Sequence, residues 1–549
     1  MASTAHSHPE MRTPFLEHIP LDVLQHIALL SVPLAPSSKP LKDLSCLLAT
    51  SRALYRSLNI CSNPHLYAAI YKLKYNPAAG SLVTASALAL ELVHRCRALR
   101  RVRRLDMSFS GLRQDLWTLL CIVVEEGCHD YVSEAGFSNF IIELSQHYLR
   151  QDVCSPKEIK SLVIWLLCLG LMRQDILAQT QEVWGALVAL LRPFVSTSTP
   201  SFTSPAEVLH PPRRTIPWPV SWPVFRVGMS HMAPLDSEDG EIFRYNMRMR
   251  APNLPAPSDA AIIVIFALKE AVCLQIPAHL PATRAIAAAE NRSGPTAEDY
   301  AVFRSSATHL FADIRAALPV FDVLKLDPWI SDVINSVPPA IFADPPQRGP
   351  ASYTPGALTG VWEGSLMVST CVSLANAEAV PLSLQAPPDF LCRAPIQCQF
   401  SEYFCFSPCV PLPTEMAALI LLHETTDINK EISLKTPSGC FSYQKFGHGE
   451  EFQREFSRPV LDHVLVGQTL RTHEDAWNPG GFNFTGRVHD NGLVSFIRRP
   501  KNDESEPIET WVFEGRLRYG TALVGTFRSS LAVDALSGVQ GIFSMRKVE

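Results

Sequence analysis

What the chain lacks narrows its function before any motif is found. It has no Gly-x-x-x-x-Gly-Lys-Ser/Thr phosphate loop, no Gly-x-Ser-x-Gly elbow and no His-Glu-x-x-His helix, which removes three common catalytic frameworks. Gly447-His448-Gly449-Glu450-Glu451 sets a histidine beside carboxylates, but such clusters are ordinarily solvated loops, and no enzyme is expected. Charge is scarce as well. Asp, Glu, Lys and Arg make up 18% of the 549 residues, and 48 cations against 53 anions leave a net charge of -5. Phosphate backbones are bound by clustered positive charge, so this balance calls for no nucleic-acid partner.

Long apolar runs are also missing. Residues 161–172 are bounded by Lys160 and Arg173, and residues 260–268 end at Lys269. Neither reaches the roughly 20 residues of a spanning helix, so no membrane partner is expected. The first ten residues hold no apolar core of a secretory signal, which predicts a protein of the cytoplasm or nucleus. Fourteen cysteines include no Cys-x-x-Cys pair, and a reducing compartment would keep them as thiols. The nearest set, Cys392, Cys398, Cys405 and Cys409, lacks the paired knuckles of a zinc site. No metal and no cofactor are expected.

What is present begins near the N-terminus. Ile19, Val23, Leu24, Ile27 and Leu30 recur at helical spacing, and Pro20 stands in the first turn, where its missing N–H costs little. Residues 31–39 break this helix. Pro40 can start a second one striped by Leu41, Leu44, Leu47 and Leu48, and a third short helix holds Arg52, Leu54, Tyr55 and Leu58. A plain three-helix bundle would fit the periodicity equally well. The order Ile19-Pro20-x-Asp22-Val23-Leu24-x-x-Ile27, however, resembles the Leu-Pro-x-Glu-Leu-Leu-x-x-Ile opening of the F-box family. Residues 59–76, with Asn63-Pro64-His65-Leu66-Tyr67-Ala68, are similar to the segment directly after the box in F-box proteins of basidiomycete fungi. The chain departs from that pattern in two places. Its third helix has no tryptophan, and the link between the first two helices is longer. The resemblance implies docking onto a Skp-type adaptor, and through it a cullin scaffold, by Ile19, Pro20, Val23, Leu24, Ile27, Leu41 and Leu44.

The middle of the chain is patterned for helices at residues 85–102, 112–126, 137–149 and 157–191, with no recognisable repeat. Six arginines lie between Arg95 and Arg104, where a solvated helix end is the plainer reading than a phosphate patch. Residues 196–257 turn Ser/Thr/Pro-rich, with Trp218, Trp222 and Phe225 expected to pin the segment. Helical pattern returns at residues 260–274 and 297–318.

After Pro355 the apolar period becomes two. Gly360-Val361-Trp362-Glu363-Gly364 begins a strand, and related phrases recur around Gly486, Gly515, Gly525 and Gly541. Asp490-Asn491-Gly492 signals a tight hairpin, because Asn-Gly accepts positive φ. Several such strands suggest an up-and-down barrel or strongly curled sheet that hides its edges. Trp362, Phe484, Trp511 and Phe527 read as its core, and residues 376–438 as an insertion leaving it as loops or extra strands. Gly-x-Trp-x-Gly also looks like the opening of lipocalin-type barrels.

The expected fold is therefore α+β and multidomain: a three-helix F-box, an all-α middle and a C-terminal antiparallel β-barrel or curled sheet. The expected segments are a tail (1–12), the box (13–60), a helical domain (61–194), a Pro-rich loop or linker (195–258), a helical continuation (259–337), a linker (338–355) and the β-domain (356–549). The expected function is substrate recognition within an SCF-type ubiquitin ligase, with an unknown target protein held at the barrel mouth by Trp477, Asn478, His489 and Asn491. The alternative is a calycin-like barrel that binds a small ligand or a protein and has no ligase role.

Overall fold

The computed structural model describes residues 19–32, 41–75, 84–124, 129–150, 156–171, 173–196, 241–250, 256–271, 276–306, 353–369, 390–406, 424–447, 460–477, 481–501, 510–529 and 540–548, with a few breaks of one to three residues inside them. Packing divides the chain into two units. Among the described residues, the first holds 19–143 with 241–250, and the second holds 144–196 and everything from 256 onward.

In the first unit, three-to-four apolar spacing becomes α1 (Leu21–Leu30), α2 (Lys42–Thr50), α3 (Arg52–Leu58), α4 (Pro64–Tyr75), α5 (Ala85–Arg104), α6 (Leu112–Val124) and α7 (His129–Glu134). Ser51 caps α3 by accepting from Leu54 N, and Thr84 caps α5 by accepting from Ala87 N, which satisfies donors that a helix start leaves free. Leu24, Ala28, Leu44, Leu54 and Leu58 are buried, and α1 packs on α3 and α4. The unit also includes a hairpin of β1 (Glu241–Arg244) and β2 (Met247–Arg250).

Of the six arginines of α5, Arg97, Arg100 and Arg104 are exposed as a solvated helix end would have them, but Arg95 and Arg101 are buried and correct that expectation. Arg95 is fully buried, lies 3.3 Å from Glu91 Oε1, and sets its guanidinium over the rings of Tyr71 and Tyr75. Arg101 Nε donates to Asp115 Oδ2 at 2.7 Å, and its Nη1 donates to the carbonyls of Asp106 and Ser108. Arg97 donates to the other oxygen of Asp115. One buried carboxylate thus holds two guanidiniums, and these cations brace the loop after α5.

α8 (Phe137–Arg150) carries the division between units. The second unit continues with α9 (Lys157–Gly170), α10 (Arg173–Ala178), α11 (Gln181–Ser196), α12 (Pro257–Ala271), α13 (Arg284–Ala289) and α14 (Ala297–Ser306). The two apolar runs noted in the sequence fall on α9 and α12, which pack on each other. Every residue of 260–268 is at most 7% exposed. A helix apolar all round is a core helix, and no described helix is long and apolar enough to cross a membrane.

The C-terminal part is a closed antiparallel barrel of eight strands. They are β3 (Gly360–Ser369), β4 (Phe390–Cys405), β8 (Asp462–Gln468), β9 (Phe482–Val488), β10 (Leu493–Pro500), β11 (Trp511–Arg518), β12 (Ala522–Ser529) and β13 (Gln540–Val548), paired in the circular order β3-β13-β12-β11-β10-β9-β8-β4 and back to β3. β5 (Glu424–Asp427), β6 (Glu431–Thr436) and β7 (Gly439–Lys445) extend the sheet from the far end of β4. A short helix, α15 (Arg471–Trp477), joins β8 to β9. The expected insertion is thus partly barrel wall, since residues 390–405 form β4. Pro395 is tolerated there because β8 pairs with β4 only from Gln399 onward, which leaves one flank of the strand unpaired at the proline.

Eight strands leave an interior that side chains can fill. Inward positions supply Trp362, Leu366, Ile396, Phe400, Phe484, Phe496, Phe513, Leu523, Phe527 and Phe543 in one buried cluster. Phe496 stacks on Phe513 at 4.8 Å and Trp511 on Phe527 at 4.9 Å. Gly515 and Gly525 face each other across β11 and β12. A Cβ on Gly525 would lie 2.0 Å from Glu514 O and 2.4 Å from Gly515 Cα, so the tight curvature there requires the missing side chain. Gly492, of the expected hairpin signal, has φ 72° between the antiparallel β9 and β10.

Candidate functional site

Residues 355–359 lead into β3, and Leu358 packs in the buried cluster inside the barrel. Glu402, fully buried on β4, accepts N–H bonds from Gly356 (2.8 Å), Leu358 (2.6 Å) and Thr359 (2.8 Å), and its Oε2 lies 3.0 Å from His463 Nε2. Burial pushes this carboxyl up, but the His463 contact and the backbone donors outweigh burial and hold it below the ordinary carboxylate value. His463 stacks on Phe404 at 4.2 Å, and Trp362 Nε1 donates to Leu358 O at 2.7 Å. These groups serve one another, and the cluster acts as a structural clasp.

A cavity of about 290 Å³ lies instead on the barrel's outer flank. Its floor is a row of outward side chains that the strand register sets side by side: Arg546 of β13 opposite Glu363 of β3, and Glu363 opposite Gln397 of β4. Gln397 Nε2 donates to Glu363 Oε1 at 2.6 Å. Two groups of helices form the walls.

On one side stand α13 and α14. Thr296 and Asp299 cap α14 reciprocally, with Asp299 N donating to Thr296 Oγ1 and Thr296 N donating to Asp299 Oδ2, an arrangement that fixes the helix start. The other Asp299 oxygen takes Arg284 Nη2 at 3.0 Å, so the same carboxylate ties α13 to α14. From α14, Val302 and Phe303 line the cavity.

In contact with α14 stands α15. Thr469 and Phe482 bond at the base of its loop, and Glu474 pairs with Lys501. Trp477 meets Tyr300 and Phe303 edge-on at 4.8 and 5.6 Å. His473 lines the cavity, and burial depresses its pKa to about 4 against the opposing pull of Asp299, so the ring is neutral near pH 7. His473 Nε2 and Gln397 Oε1 are buried and have no hydrogen-bond partner among the described residues.

No protein-family model, curated protein or solved structure matches this chain. Its functional surfaces therefore have to be recognised by chemistry. Of the four residues expected at the barrel mouth, Trp477 belongs to α15 and lines this flank cavity, while Asn478, His489 and Asn491 lie outside the described residues. Among the described residues no group of His, Cys, Asp and Glu has the arrangement of a metal site. Cys398 and Cys405 are buried on β4, and Cys409 lies outside the described residues.

The seven residues expected to meet an adaptor divide by burial. Leu24 and Leu44 are 3% and 1% exposed and form the bundle's own core. Pro20, Val23 and Ile27 are exposed, and Ile19 and Leu41 are half-buried. Leu21 and Leu30, which the motif did not single out, join the exposed set at 48% and 72%. For Leu30 the signal was available, because helical spacing places it one turn beyond Ile27 on the same flank as Val23, whereas Leu21 falls on the opposite side of the helix.

Proposed function

We propose that this chain is the substrate-recognition subunit of an SCF-type ubiquitin ligase, acting in the cytoplasm or nucleus. In this reading α1 docks on a Skp-type adaptor, which links to a cullin scaffold, and the barrel unit takes the target protein. The observation that carries the reading is the outer face of α1. On one flank it leaves Val23, Ile27 and Leu30 between 37% and 72% exposed, on the segment whose Ile19-Pro20-x-Asp22-Val23-Leu24-x-x-Ile27 order resembles the F-box. Scattered surface leucines need no explanation, but three large apolar side chains along one flank of a short helix make a patch that a partner can bury. At about 25 cal/mol per Å² of apolar area, such a patch supplies several kcal/mol to an interface.

The chain would then accelerate ubiquitin transfer without chemistry of its own. Holding a target lysine near a charged conjugating enzyme raises its effective concentration. The filled barrel interior speaks against the small-ligand form of the calycin-like alternative, because the inward aromatics stack on one another where such a ligand would sit.

The test is co-purification of the full chain with a recombinant Skp-type adaptor, comparing wild type with a Val23→Asp/Ile27→Asp double variant. Wild type is expected to retain the adaptor, and the double variant to lose it with an unchanged circular dichroism spectrum and melting curve. Failure of folded wild type to bind would overturn the reading.

A further inference from the structure

We infer that the flank cavity is a peptide site, which takes one uncharged apolar residue of a partner's extended segment, with its backbone amide between Gln397 and His473 and its side chain against Trp477 and Phe303. This deepens the target-recognition half of the proposed function and rests on it only for who the partner is.

The polar part of the argument starts from two atoms. A buried polar atom without a partner is costly and uncommon, yet Gln397 Oε1 and His473 Nε2 are both in that condition in the walls of the same cavity. Gln397 Oε1 can only accept. Its own Nε2 is committed to Glu363, which fixes the orientation of the amide. A neutral histidine can donate from Nε2. The complementary ligand group carries one donor and one acceptor, as a peptide N–H and C=O do.

Charge points the same way. Asp299 holds Arg284, and Glu363 stands opposite Arg546 in the strand register. Two cations are thus balanced by two carboxylates, and burial keeps His473 neutral. An ionised ligand would enter a lining with no net charge to offset its desolvation, whereas an amide loses far less on leaving water.

The apolar part comes from α14 and α15. Water alone could satisfy the two polar atoms, but the rings of Phe303 and Trp477 beside them favour a flat or aliphatic group. Val302, 62% exposed, and the Arg284 side chain, 43% exposed, leave the rim open to solvent. A volume of about 290 Å³ sits at the small end of ligand pockets and suits one residue with its flanking peptide groups.

The test titrates the full-length chain with N-acetyl-phenylalanine methylamide, followed by saturation-transfer NMR. Three analogues run beside it: phenylalanine methylamide, which is cationic; N-acetyl-phenylalanine, which is anionic; and 3-phenylpropanol, which has no amide. The capped residue is expected to saturate with a dissociation constant on the order of 1 mM, as a ligand of this size allows, and each analogue to bind at least tenfold more weakly. Gln397→Met and His473→Phe should each weaken the capped residue tenfold or more. No saturation, equal or tighter binding of a charged or amide-free analogue, or unchanged affinity in both folded variants would overturn the proposal. Where a variant fails to fold, the four wild-type titrations decide on their own. No adaptor is present in this assay, and the adaptor assay alters only Val23 and Ile27, so either reading can fail alone.

Discussion

α1 and α12 are both helices rich in aliphatic residues, yet they meet opposite ends. Every side chain from 260 to 268 on α12 is buried, packed on α9, α10 and α11 and on β12 and β13 of the barrel. α1 buries only Leu24 and Ala28 and leaves four large apolar residues in water. Apolar composition says that a helix wants cover. Where the cover comes from is decided by the rest of the fold, and among the described residues nothing covers the outer flank of α1.

The same substitution applied to both helices breaks or confirms that contrast most sharply. Ile265→Asp places a carboxylate in the fully buried face of α12. The expected cost is about 5 kcal/mol or more, comparable with the whole stability of an ordinary domain. The variant should therefore be insoluble or lack a cooperative melt. Leu30→Asp on α1 should melt within a degree or two of wild type, since exposed substitutions shift stability by about 0.5 kcal/mol. A normally melting Ile265→Asp protein would show that α12 is not enclosed as described.

A smaller effect is expected where α12 is pinned to the barrel. Arg518 on β11 reaches Asp259 in the first turn of α12, with Nε at 3.1 Å and Nη2 at 2.6 Å from Oδ2, both residues under 10% exposed. Arg518→Met leaves a buried carboxylate unpaired and should cost about 3 kcal/mol, read as a lower urea midpoint at unchanged slope. Asp259→Asn/Arg518→Met should recover a large part of that loss, because the penalty lies in the orphaned charge more than in the lost attraction. A double variant no better than the single one would mean that the pair contributes net attraction.

The contrast also marks how far sequence reasoning reaches. The barrel was legible because its signals are local: period two, Asn491-Gly492, and glycines at the inward positions of successive strands. β4 was not, because Pro395 and three cysteines obscure its alternation and the proline is excused only by a missing neighbour strand. Helical spacing locates α1 correctly, but it cannot separate Leu24, which the bundle buries, from Val23 and Ile27, which it exposes. The flank cavity was nearly invisible. Glu363, Gln397 and Arg546 occupy outward strand positions, which in a sequence read as ordinary solvent-facing residues. Only the barrel's closure lines them up and brings His473 and Trp477 over them. Trp477 reads from the sequence as part of a mouth loop, because nothing local distinguishes a seven-residue helix from a loop between two strands.

The smallest stability effects are expected within α1 itself, and there they are the most telling. Leu24→Ala removes a side chain that is 3% exposed between α1 and its neighbours, and should cost about 2 kcal/mol, the low end for buried leucine in a small bundle that can partly collapse. Val23→Ala, one residue earlier and 44% exposed, should change stability by no more than about 0.5 kcal/mol. Adaptor binding should rank the two differently from stability. If the outer face is the docking surface, Val23→Ala weakens capture while leaving the melt untouched, and Leu24→Ala weakens it only as far as it loosens the helix. Guanidinium melts and adaptor titrations on the same two proteins separate these cases. An adaptor affinity that tracked stability in both would return α1 to an ordinary role in its own bundle.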